Sequence, residues 1–172
     1  ARSGPARHGV HSPTFTLQNW EPPMSLKSHL TQPGKREQVI KDATKVLDAE
    51  VSDKRGLSGV AVKAGFKVVR GLQPGFVPNA IDALLDDFIT QIEPFYDAWK
   101  GGASTGSLKE HFVAQGPAVA DALLKITDDR AAKSPHRTLV KTYGRLRPMG
   151  KDHVVTAMPR VGALIERHTQ DL

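Results

Sequence analysis

Between Lys35 and Lys54 the apolar residues Val39, Ala43, Val46, Leu47 and Val51 recur mostly three and four positions apart, which places them on one face of a helix. Gly56 is expected to end this element. A second helix is expected from Ser58 to Arg70, with Ser58 as N-cap. Its apolar residues run almost all round. Val60, Ala61, Ala64 and Val68 form one stripe, and Val62, Phe66 and Val69 form another. Lys63, Lys67 and Arg70 are the charged breaks, so the helix is expected to sit centrally, with lysine stems lying over its neighbours.

From Pro78 to Lys100, Ile81, Leu84, Leu85, Phe88, Ile92, Phe95, Tyr96 and Trp99 track one face, with Asp82, Asp86, Asp87 and Asp97 mostly opposite. Pro94 lacks an amide donor, which predicts a kink or restart at Glu93. Gly101 to Gly106 reads as a loop. A helix from Ser107 to Gln115 follows, then one from Gly116-Pro117 to Lys133 with Ala118, Ala122, Leu123 and Ile126 inward. Ser134-Pro135 predicts another start, with Ser as N-cap and Pro at the first helical position. Pro148 is expected to end that helix near Arg147. Asp152 is expected to cap a last one carrying Val154, Met158, Val161 and Ile165, kinked at Pro159.

No window alternates with a period of two, and no Asn-Gly or Asp-Gly hairpin turn occurs. The expected fold is all-α, a compact antiparallel bundle of about five to seven helices, some kinked at proline. Residues 1–33 hold five prolines, so regular structure is not expected there. Met24 reads as a natural start. We expect residues 1–23, whose large apolar groups are Phe15, Leu17 and Trp20, to be a leader or disordered extension before one helical domain at 24–172.

Several stretches from Met24 onward carry a likeness. They are Asp48-Ala49-Glu50-Val51, Gly56-Leu57-Ser58-Gly59, Ala61-Val62-Lys63-Ala64, Gln73-Pro74-Gly75-Phe76-Val77, Pro94-Phe95-Tyr96 and Tyr143-Gly144-Arg145-Leu146-Arg147. Over about residues 25–168 the chain resembles an uncharacterised family of small all-helical bacterial proteins, a domain of unknown function. None of these stretches is a motif with known chemistry. The resemblance implies an all-helical fold and a start near Met24, and brings no active site, cofactor or substrate with it.

Composition excludes some chemistry. Without cysteine, the chain has no disulfide, thiolate metal site or cysteine nucleophile, which fits a cytoplasmic location. No apolar run is long enough to span a membrane. Gly102-Ala103-Ser104-Thr105-Gly106 matches the nucleophile-elbow pattern, but a helix precedes it where a strand is required, so a linker is the better reading. The same loop has phosphate-loop spacing from Gly101 to Gly106, with Ser107 where the phosphate-binding lysine belongs. His29, His111, His136, His153 and His168 are isolated in sequence and read as surface or helix-end groups. Asp82, Asp86 and Asp87 read as a solvated face. No cofactor, metal or catalytic constellation is expected.

Charge supplies the one lead. The net charge is +6, but it is unevenly distributed. Residues 74–100 carry five acids and one base, whereas residues 130–168 carry nine bases and two acids. These acidic and basic sides could meet within one chain or between two. Arg137, Lys141 and Arg145 repeat every four residues, with Arg130 and Lys133 before them and Arg147 and Lys151 beyond. We expect these seven to form a face for an anion or partner. The expected function is non-enzymatic binding, through a protein partner or self-association. Nucleic acid on the basic face is the alternative, and an anionic membrane surface comes third. Gly59, Ala61, Ala64 and Gly65 would also permit close approach of a helix or a flat apolar ligand.

Overall fold

The computed structural model describes residues 24–172, so the expected leader at 1–23 lies outside the described residues. The described chain is all-α. Seven α-helices follow in order: α1 Leu26–Leu30, α2 Lys35–Asp53, α3 Gly56–Arg70, α4 Phe76–Ala98, α5 Leu108–Ala114, α6 Gly116–Ala132 and α7 Arg137–His168. A π-helical turn, Trp99–Ala103, extends α4. The core joins Leu26 and Leu30 of α1, Leu85, Ile89, Ile92 and Tyr96 of α4, Leu108 and Phe112 of α5, Val119 of α6, and Met158 and Ile165 of α7.

Helix α1 falls where no regular structure was expected. The proline density lies before Met24, and only Pro33 follows, so residues 24–32 are free to coil. Ser25 Oγ accepts from Ser28 N–H at 3.1 Å, and the Glu93 carboxylate accepts from Lys27 N–H at 3.1 Å, which satisfies two of the turn's open donors.

Gly56 opens α3 rather than closing α2. Its φ of +70° suits glycine, and extended Lys54 and Arg55 separate the two helices, with Arg55 at the N-cap position and Ser58 inside the first turn. Nor is α3 central. Leu57 is 92% exposed and Val60 66%, and only Gly59 and Gly65 are buried. All-round apolarity does not select a buried side. Gly65 does, because its missing side chain lets Leu146 and Thr142 of α7 come close.

Pro94 does not restart α4, and Pro148 does not end α7. Both prolines are exposed, so the carbonyls they leave unpaired can meet water. Helix α7 begins two residues later than expected, because Ser134 Oγ accepts from His136 N–H at 3.2 Å in a local turn. It then runs 32 residues through Asp152 and Pro159, with α5 and α6 packed along it.

Helices α2 and α6 stand on opposite sides of an apolar cavity that α4 and α7 close. Its volume is about 310 Å³.

Candidate functional site

The seven basic residues divide into two groups. Arg147 clamps Asp128 of α6 through Nε and Nη2, which donate to its two carboxylate oxygens at 2.7 and 2.9 Å. Tyr143 donates to the same carboxylate at 2.6 Å and pairs with Thr127 at 2.8 Å. The Arg147 guanidinium first, and the Tyr143 hydroxyl second, hold the Asp128 carboxyl below the usual carboxylate range. Burial, followed by the bond to Asp128, pushes the Tyr143 phenol up. Lys151 reaches Asp121 at 2.7 Å, and Arg130 reaches Asp87 of α4 at 2.5 Å. Arg130, Arg147 and Lys151 are therefore ties between helices.

The acidic face of α4 is engaged in the same way. Arg36 of α2 binds Asp82 at 2.7 Å and Asp86 at 2.8 Å, while Arg130 takes Asp87. Among the described residues the acidic and basic stretches meet in the Arg130–Asp87 pair, whereas Asp82 and Asp86 are held by Arg36, which lies outside the basic stretch.

Lys133, Arg137, Lys141 and Arg145 remain. All four are exposed, and among the described residues none has a carboxylate within ion-pair distance. Arg137, Lys141 and Arg145 lie one turn apart on α7, about 6 Å per step, with exposed Thr138, Gly144 and Pro148 beside them. Lys133 stands at the end of α6, beside a cleft it shares with Asp87, Asp129 and Arg130.

The neighbouring surface was not legible as a site. Gly65 of α3 packs on Thr142 and Leu146 of α7. Each of those two residues follows a free cation, Lys141 and Arg145 respectively. On α3, Leu57, Val60, Ala64 and Val68 recur at helical spacing along the outward side and are exposed. Helical geometry puts Val68, Ala64 and Leu57 on the side of α3 next to α7, and Arg145 and Lys141 on the side of α7 next to α3. An apolar row and a cationic row therefore border one seam. The signal in the sequence was Gly65, which marks the side of α3 that meets α7. The small residues Gly59 and Gly65 serve helix packing: a methyl on Gly59 would meet the Lys54 backbone at 2.7 Å.

Four of the five histidines stand at helix ends as expected, with His136 exposed at the N-cap of α7, but the other three of these are not on the surface. His29, His111 and His168 stand in the last turns of α1, α5 and α7, and all three are buried. His29 Nε2 lies 3.0 Å from the His168 carbonyl and 3.1 Å from Asp171, and His168 Nε2 lies 3.2 Å from Asp42. Among the described residues no three histidine or carboxylate groups are placed to hold a metal ion. The Ser104 hydroxyl accepts from Gly106 N–H at 3.4 Å, and Trp99 Nε1 donates to the Gly106 carbonyl at 2.9 Å, so the glycine-rich loop is pinned to the end of α4. No described helix is long and apolar enough to cross a membrane.

One family model matches residues 26–169, and its description is "Family of unknown function (DUF6918)". No curated protein and no solved structure matches the chain.

Proposed function

The chain belongs to that family of unknown function, and on this premise we propose that it is a non-enzymatic binding protein whose working surface is the α3–α7 seam. The partner is a protein segment that offers apolar and acidic side chains together. One observation carries this reading: three cations of α7 without carboxylate partners among the described residues border an exposed apolar row on α3. Exposed apolar groups rimmed by charge mark recognition surfaces, and a complementary potential steers encounter and sets register. A second copy of the chain fits less well, because Asp82, Asp86 and Asp87 are already engaged by Arg36 and Arg130. A cysteine-free chain fits a cytoplasmic site of action.

Nucleic acid is the second reading, supported by the same cations at one-turn spacing. It would leave Leu57 and Val60 without a role.

A photo-crosslinking side chain at position 60, in the chain expressed in its native host, separates the readings. The expected result is a discrete protein adduct that disappears when the cationic row is reversed by Lys141→Glu and Arg145→Glu. Adducts to nucleic acid or lipid, or a protein adduct indifferent to both charge reversals, would overturn the proposal. Purified chain should also show weak binding to nonspecific duplex DNA. A steep salt dependence that loses about one unit of slope per removed cation would favour the second reading instead.

A further inference from the structure

We propose that the central cavity is a binding site for one linear hydrocarbon chain, a ligand separate from the partner at the α3–α7 seam. The cavity volume of about 310 Å³ is roughly twice that of the ~150 Å³ apolar cavity that admits benzene, and it lies within the range of small-molecule pockets.

The shape is elongated. The wall runs along α2 from Val39 to Glu50 and along α4 from Ile81 to Ile92. At 1.5 Å per residue each stretch is about 16 Å long. Spread over that length, the volume forms a slot rather than a round pocket, and one extended chain can lie along it.

The wall also dictates polarity. Three polar side chains contribute to it, and each has a polar atom engaged with a partner elsewhere. Glu50 accepts from Arg160 at 2.7 Å and from Lys54 at 3.0 Å. Thr127 donates to the Leu124 carbonyl at 2.9 Å and meets the Tyr143 hydroxyl. His168 Nε2 faces Asp42. The surface facing the cavity is therefore hydrocarbon, supplied by side chains such as Ala43, Leu85, Phe88 and Val161. A sugar, nucleotide or metal would find no partner there, whereas an alkyl chain needs none. Leu47 lines the cavity and stays 36% exposed, which places an opening beside α2 where the chain's polar end can reach water.

The test is titration of octanol, decanol and dodecanol into the full chain by calorimetry. These alcohols are neutral, so the surface cations do not attract them. We expect one site per chain, with affinity rising about fourfold per added methylene until the alcohol outgrows the slot. Ala43→Phe should fill the slot, lowering dodecanol affinity at least about tenfold without lowering the melting temperature. Val46→Phe serves if the first variant does not fold. Absence of saturable dodecanol binding to the native chain would overturn the proposal. So would affinity unchanged in both phenylalanine variants, or uptake that appears only once Phe15 and Trp20 are replaced by alanine. That last result would assign the slot to the chain's own N-terminal segment. Lys141→Glu should leave alcohol binding intact, so the failure of one proposal does not decide the other.

Discussion

Gly162 of α7 lies directly against the backbone of Lys109 in α5: a methyl group on Gly162 would stand 2.7 Å from Lys109 Cα and 3.3 Å from its carbonyl oxygen. Backbone cannot rotate away as a side chain can. The same helix α5 carries Leu108 and Phe112, both fully buried, so moving it disturbs the centre of the core. Gly162→Ala should therefore destabilise the fold by about 1–3 kcal/mol, despite alanine's better helix propensity. Gly144, in the same helix, has no heavy atom within 4 Å of such a methyl. Gly144→Ala should stabilise by about 1 kcal/mol. Urea denaturation of the two variants checks both signs, and equal shifts would contradict the packing.

The Tyr143–Asp128–Arg147 cluster predicts a modest loss. Tyr143→Phe removes a hydroxyl bonded to Asp128 and Thr127 and should lower stability by about 1 kcal/mol. Asp128 is held below the ordinary carboxylate range, so its contribution is full above that range and fades as pH falls through the folded-state value. Acid denaturation followed by circular dichroism should show a shallower decline in Asp128→Asn than in the native chain. An identical decline would remove the cluster from the acid response.

His153 carries the opposite sign. Its Nε2 is buried without a partner among the described residues. Burial first, and the Lys54 charge second, push its pKa down. Protonation then favours the unfolded chain, so stability falls as pH drops through the ordinary imidazole value and continues to fall until the folded-state value is passed. His153→Leu should flatten that part of the stability profile between about pH 7 and pH 5. If the profiles run parallel, His153 is not the group responsible.

Pro148 interrupts the hydrogen bonding of α7 on its exposed side without ending the helix. Pro148→Ala restores an amide donor and should raise stability by about 1–3 kcal/mol. A thermal melt measures it, and a loss would mean that the neighbouring packing depends on the proline's local geometry.

Much of the architecture was legible from periodicity. The spans of α2, α4 and α6 follow from where apolar residues return each turn, and the Ser107 start of α5 is realised as a reciprocal cap with Glu110. Errors gathered where a local rule met a long-range partner. Pro148 and Asp152 looked like a stop and a start, yet contacts along α5 and α6 hold α7 as one rod.

Arg137, Lys141 and Arg145 look the same in the chain as Arg130, Arg147 and Lys151. What separates them is the position of Asp87, Asp121 and Asp128, carboxylates carried by other helices. The sequence by itself determined that the described chain is helical and which residues could share a face, because a helix repeats its environment every 3.6 residues. Tertiary structure decided which cations stayed free, which side of α3 met water, and how far α2 stands from α6. Those outcomes depend on distances between segments remote in sequence, and no local period encodes them.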